Sequence, residues 1–94
     1  MPLERAELVI REGAEYEFAA AMGEHGVPLL KSVPGVRSVS FGRGIENPNK
    51  FMLLVDWESM AAHAAYNKSP ASPALREIIR PYSIGGSMEH FEMG

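Results

Sequence analysis

Residues 51–70 read FMLLVDWESMAAHAAYNKSP, and the fold turns on this stretch. Residues 51–57 are apolar at nearly every position. With a period of two, Phe51, Leu53, Val55 and Trp57 fall on one side of a strand and Met52 and Leu54 on the other, so both sides need covering. A strand of that kind is buried on both faces. Asp56, Glu58 and Ser59 break the apolar run, and Ser59 is placed to cap a helix over about residues 60–67. His63 and Tyr66 are three apart on that helix and share a side.

Working back towards the N-terminus, residues 46–50 (ENPNK) form a polar turn of residues that favour tight bends. It joins the apolar strand to another over 36–43 as an antiparallel hairpin, with Val39 and Phe41 on one face and Ser38, Ser40 and Gly42 on the other. Before it, Phe18, Met22, His25, Leu29 and Val33 make a stripe at helical spacing that starts at Ala14 and ends at Pro34-Gly35. Glu15 and Glu17 suit the positive end of that helix. Pro28 removes one backbone hydrogen bond between Gly23, Gly26 and the helix end, which predicts a kink. A first strand is expected over 6–11, closed by Gly13.

Forward of the central stretch, Ser69 or Ser72 can cap, and Pro70 or Pro73 can open, a last helix running to about Arg80 and stopped by Pro81. Gly85-Gly86 reads as a flexible link, followed by a strand over 87–93 with Met88, His90 and Glu92 on one side.

The order strand, helix, strand, strand, helices, strand is α+β. Its compact solution is the ferredoxin-like arrangement, a four-stranded antiparallel sheet with helices on one face. Helices cover only one side of such a sheet. The doubly apolar strand therefore calls for a second sheet from another copy, giving a homodimeric α+β barrel. The 94 residues are one domain, 1–94.

Composition narrows the function classes. The net charge is −3 and the basic residues are scattered, which argues against a nucleic-acid partner. There is no cysteine, so disulfides, thiolate metal sites and cysteine nucleophiles are excluded. No apolar run is long enough for a bilayer, and the opening residues MPLERAELVIREG lack the apolar core of a signal peptide, so a cytoplasmic protein without a membrane partner is expected.

Taken together, PNKFMLLVDWESMAAHAAYNKSPA, LREIIRPY and SMEHFE resemble the antibiotic biosynthesis monooxygenase family of dimeric α+β barrel proteins. Glu17-Phe18, Pro28-Leu29-Leu30, Pro34-Gly35, the Trp57-Glu58-Ser59 corner, His63 and Ser69-Pro70 carry the likeness across nearly the whole chain. The resemblance implies a homodimer whose subunits each hold a pocket between sheet and helices. It also implies cofactor-independent oxygenation of a small aromatic, polyketide-like or quinol substrate. Haem-degrading relatives need a histidine ligand on the second helical segment. The matching position lies near Arg76, and Ala74, Leu75 and Glu77 supply no substitute, so no haem or other cofactor is expected.

Within that frame His63 is the candidate catalytic base. A neutral imidazole beside an apolar pocket can take a proton from a phenol or enol and leave an electron-rich anion for oxygen. The plainer alternative is a histidine packed between helix and sheet. Tyr66 can orient a substrate oxygen or simply pack with a wet tip. Trp57 can wall a flat substrate, or be core. Tyr82, with Gly85-Gly86, can form a lid or a plain connection.

His25 reads as a buried or kink-associated residue, and His90 as a residue of the dimer. Three histidines so far apart in sequence give no metal-ligand spacing, so no metal site is expected. Two rival functions stay open: a non-catalytic ligand-binding or accessory barrel, and an isomerase or cyclase using the same base without oxygen.

Overall fold

A computed structural model describes all 94 residues, Met1–Gly94. The elements in chain order are β1 (Pro2–Ile10), α1 (Glu15–Ala21), a π-helical turn (Met22–Gly26), α2 (Val27–Lys31), β2 (Val36–Arg43), β3 (Lys50–Trp57), α3 (Met60–Asn67), α4 (Ala71–Ile79) and β4 (Ser83–Glu92). The sheet is antiparallel with strand order β2-β3-β1-β4, and the helices lie on one face. This is the expected ferredoxin-like α+β fold.

The core sits between that face and the helices. Phe51, Leu53, Val55 and Trp57 of β3 are all buried, as are Ala6 and Ile10 of β1, against Phe18, Met22, Leu30 and Leu75. Phe18 meets Phe51 edge-on at 4.9 Å, and Phe41 stacks on Phe51 at 5.5 Å. Burial of this apolar set is the main force holding sheet and helices together. The other set of β3, Met52 and Leu54, is only half-buried because nothing in the chain covers that side of the sheet. The expected burial of both faces is thus half supplied by one chain.

Several expected details differ. The irregularity in the first helix lies ahead of Pro28, at Met22–Gly26. A π turn takes up one extra residue, with the Val27 amide bonded to the Met22 carbonyl, and Pro28 falls in the opening turn of α2, where a missing amide costs little. The extra residue rotates everything beyond it, so Gly26 and Leu30 face the core in place of His25 and Leu29. His25 is a surface residue, its side chain 68% exposed, and not part of the buried stripe.

Neither Ser69 nor Ser72 caps α4. Ser69 Oγ donates to the Tyr66 carbonyl at 2.8 Å, and Ser72 is buried inside the helix. Gly85-Gly86 is not a link but part of β4, paired with Val9 and Leu8 of β1. β1 itself starts at Pro2, earlier than the apolar alternation suggested. No helix is long and apolar enough to cross a membrane.

Candidate functional site

α3 begins as the sequence predicts. Ser59 is extended, and its Oγ accepts the Ala62 amide at 3.1 Å, which satisfies one of the helix's orphan donors. The cap sets the phase of the helix, and in that phase His63 and Tyr66 turn inward and are buried. They line a cavity of about 490 Å³ between the helices and the β1–β4 side of the sheet. Ala6, Leu8 and Leu53 contribute from the sheet, Leu75, Arg76 and Ile79 from α4, and Gly85, Gly86 and Met88 from β4.

His63 does not stand alone. Its Nε2 is 3.5 Å from Glu4 Oε1, and its ring lies 4.3 Å from that of His90. His90 Nε2 is 3.6 Å from the same Glu4 oxygen. Glu4 and His90 are direct cross-strand partners on β1 and β4, which explains why both face α3. Glu4 is 8% and His63 7% exposed, unusual for a carboxylate without a lysine or arginine partner. The compensating donor is Trp57, whose Nε1 donates to Glu4 Oε1 at 3.0 Å.

Burial pushes the His63 imidazole below its ordinary value, and the nearby His90 acts in the same direction, while the Glu4 charge opposes both. Burial pushes the Tyr66 phenol up and Glu4 adds to this; the Ser72 hydroxyl and the Arg76 charge pull it down. His63 is thereby kept neutral, a proton acceptor with a carboxylate at hand to stabilise the imidazolium. Tyr66 is kept protonated, a hydrogen-bond donor. Arg76 donates from Nη1 to Ser72 Oγ at 2.9 Å and puts a guanidinium on the α4 wall.

Of the four residues singled out in the sequence, the fold brings His63 and Tyr66 to the cavity. Trp57 and Tyr82 stand elsewhere. Trp57 is fully buried behind His63, with the two rings edge-to-face at 5.1 Å, and it holds Glu4 rather than forming a wall. Tyr82 packs on Phe18 at 5.9 Å in the aromatic core and is no lid, since β4 runs on directly from it. Glu4 and His90 were not anticipated as site residues. The period-two pattern of the last strand does put His90 on one face with Met88, but only the β1–β4 register brings it to Glu4.

Comparison with known proteins follows the same lines. The uncharacterized protein YczJ of Bacillus subtilis (strain 168) is 30% identical over 94 residues, 98% of either chain. The crystal structure of a candidate antibiotic biosynthesis monooxygenase from Bordetella bronchiseptica superposes with a TM-score of 0.89 at 24% identity, covering 99% of this chain and 96% of that one. A variant of SnoaB, a cofactor-independent oxygenase from Streptomyces nogalater, superposes with a TM-score of 0.84 at 15% identity, covering 98% and 91% of the two chains. At these identities the structural likeness is one of fold. Residues 1–77 match the family model for antibiotic biosynthesis monooxygenase, and with that match, the relative in Bacillus and the shared fold, the chain belongs to the antibiotic biosynthesis monooxygenase family.

Proposed function

We propose that the protein is a cofactor-independent monooxygenase acting on a small, flat phenolic or quinol substrate, polyketide-like in shape, held in the cavity beside His63. The observation that carries this reading is a buried histidine opening onto a largely apolar cavity, with a carboxylate oxygen 3.5 Å from its Nε2. Family membership supports it, as does the fold shared with an oxygenase that uses no cofactor.

In this reading His63 takes the hydroxyl or enol proton and Glu4 stabilises the imidazolium. The substrate anion passes one electron to O2, and the radical pair joins at carbon as a peroxide. The peroxide recovers the proton and loses water, leaving a new carbonyl. Tyr66 donates a hydrogen bond to the substrate oxygen. Trp57 fixes Glu4 from behind. The working unit is a homodimer in which a second copy covers the open face of the sheet.

Oxygen uptake by EDTA-treated protein with a panel of anthrones and hydroquinones tests this, wild type beside His63→Ala. Uptake above the spontaneous rate in wild type, falling roughly 10²–10⁴-fold in the variant, supports the base role. No uptake across the panel by a protein that still binds these compounds overturns the oxygenase reading in favour of a ligand-binding barrel. Conversion of enolisable substrates without oxygen consumption identifies an isomerase or cyclase.

A further inference from the structure

Glu4, His63 and His90 bring one carboxylate oxygen and two imidazole nitrogens within 4.8 Å of one another. We propose that they bind one divalent first-row transition ion, with Zn2+ the best-matched. The separations favour an ion over a hydrogen-bonded cluster. Both Nε2 atoms stand off from Glu4 Oε1, at 3.5 Å for His63 and 3.6 Å for His90, beyond the ~2.7–3.2 Å of an N–H···O hydrogen bond. Atoms bonded at ~2.0–2.2 Å to a tetrahedral zinc lie ~3.3–3.6 Å apart, which matches both gaps.

His90 Nε2 is buried and has no hydrogen-bond partner. Coordination would remove the penalty of that orphaned nitrogen. Two imidazole nitrogens and a carboxylate oxygen also converge at a largely buried point, where a cation would be held by all three.

The donor set narrows the ion. Imidazole with one carboxylate suits zinc and its neighbours rather than magnesium or calcium, which prefer oxygen alone. Trp57 supplies the outer support, its indole N–H fixing Glu4 Oε1 at 3.0 Å and leaving that oxygen a second lone pair for the ion. Three protein ligands leave a fourth position. Because Glu4 and His63 both line the cavity, that position opens towards it. The inference does not depend on the oxygenase reading, and it sets a limit on it: an ion beside His63 repels the proton the imidazole would accept, so the loaded form is inactive as a metal-independent oxygenase.

The chain has one tryptophan, and it touches a proposed ligand, so Trp57 emission reports on the site without any substrate. Untagged, EDTA-stripped protein titrated with Co2+ should take up one ion per chain, lose Trp57 emission, and gain the visible absorption of tetrahedral Co2+, all reversed by Zn2+. His90→Gln and His63→Gln should each weaken binding about tenfold or more. His25→Gln, at a surface histidine, should leave it unchanged. Circular dichroism in EDTA selects the variants that fold, and either of the two ligand variants suffices. Absence of binding by Co2+ and Zn2+, Co2+ binding that leaves Trp57 emission intact, or equal loss in His25→Gln would each overturn the site. Oxygen uptake plays no part in this test, so its outcome and that of the oxygenase assay are read separately.

Discussion

At the scale of single residues, the cavity is shaped by groups whose neighbours decide their chemistry. Tyr66 is held protonated by burial and by the Glu4 charge, so its folded-state pKa lies above the unfolded one. Below the unfolded value of about 10 both states carry the proton and no stability is at stake; above it the unfolded chain ionises first, and stability is lost as pH rises towards the folded value. Urea unfolding between pH 8 and 11 should show this loss, and Tyr66→Phe should show less of it. An unchanged alkaline slope in the variant would assign the loss to other groups. Gly86 makes a different demand. Its φ is +157°, and a Cβ there would run into the Glu7 carbonyl oxygen, across the β1–β4 pair that brings Glu4 to His90. Gly86→Ala should therefore cost about 1–3 kcal/mol in urea unfolding, whereas an effect within a few tenths would mean that β4 shifts freely. That His63 and Tyr66 share one side of their helix was legible from their spacing; that this side faces the cavity was not. Glu4 was not, because a buried carboxylate is the opposite of what its residue type predicts, and its partner His90 lies at the far end of the chain.

At the scale of elements, what was legible follows how local each signal is. Ser59, the Met60–Asn67 helix and the alternation of β3 are decided by neighbouring residues, and they stand where the sequence put them. The π turn is not local in this sense. Whether the helix spends an extra residue around Gly23 to Gly26 depends on Met22 and Leu30 finding the core together, a choice that helical periodicity alone cannot make. The same holds for Gly85-Gly86, which by composition reads as a link and becomes strand only through pairing with β1. The capped helix offers a direct test of how local structure serves the site. Ser59→Ala removes the acceptor for the Ala62 amide and should lower stability by about 1 kcal/mol. Because His63 is in the first turns of α3, the frayed helix should also raise its hydrogen exchange and weaken ligand binding in the cavity. A stability loss with no change at His63 would show that the sheet, not the cap, holds the imidazole in place.

At the scale of the whole molecule, the sheet has one finished face and one open one. Leu54 lies near the middle of the open face, beside Arg5 of β1 and Ser40 of β2, with Met52 two residues away on the same strand. Phe91 on β4 is 42% exposed on that side. Small domains bury a limited share of their surface, and a second copy laid across this face would cover Met52, Leu54 and Phe91 at once. The small side chains of Ser38, Ser40 and Gly42 leave room for the partner's strands to approach. Sedimentation equilibrium at micromolar concentration should accordingly give a dimer. Leu54→Lys should shift it to monomer, since a charge buried at the centre of an interface costs about 2 kcal/mol or more, roughly thirtyfold in dissociation constant. The substitution leaves the helix-facing core untouched, so circular dichroism should be preserved and the loss of mass cannot be read as unfolding. A wild-type monomer under these conditions would remove the explanation for the doubly apolar strand, and Met52 and Leu54 would then need a different partner of comparable apolar surface.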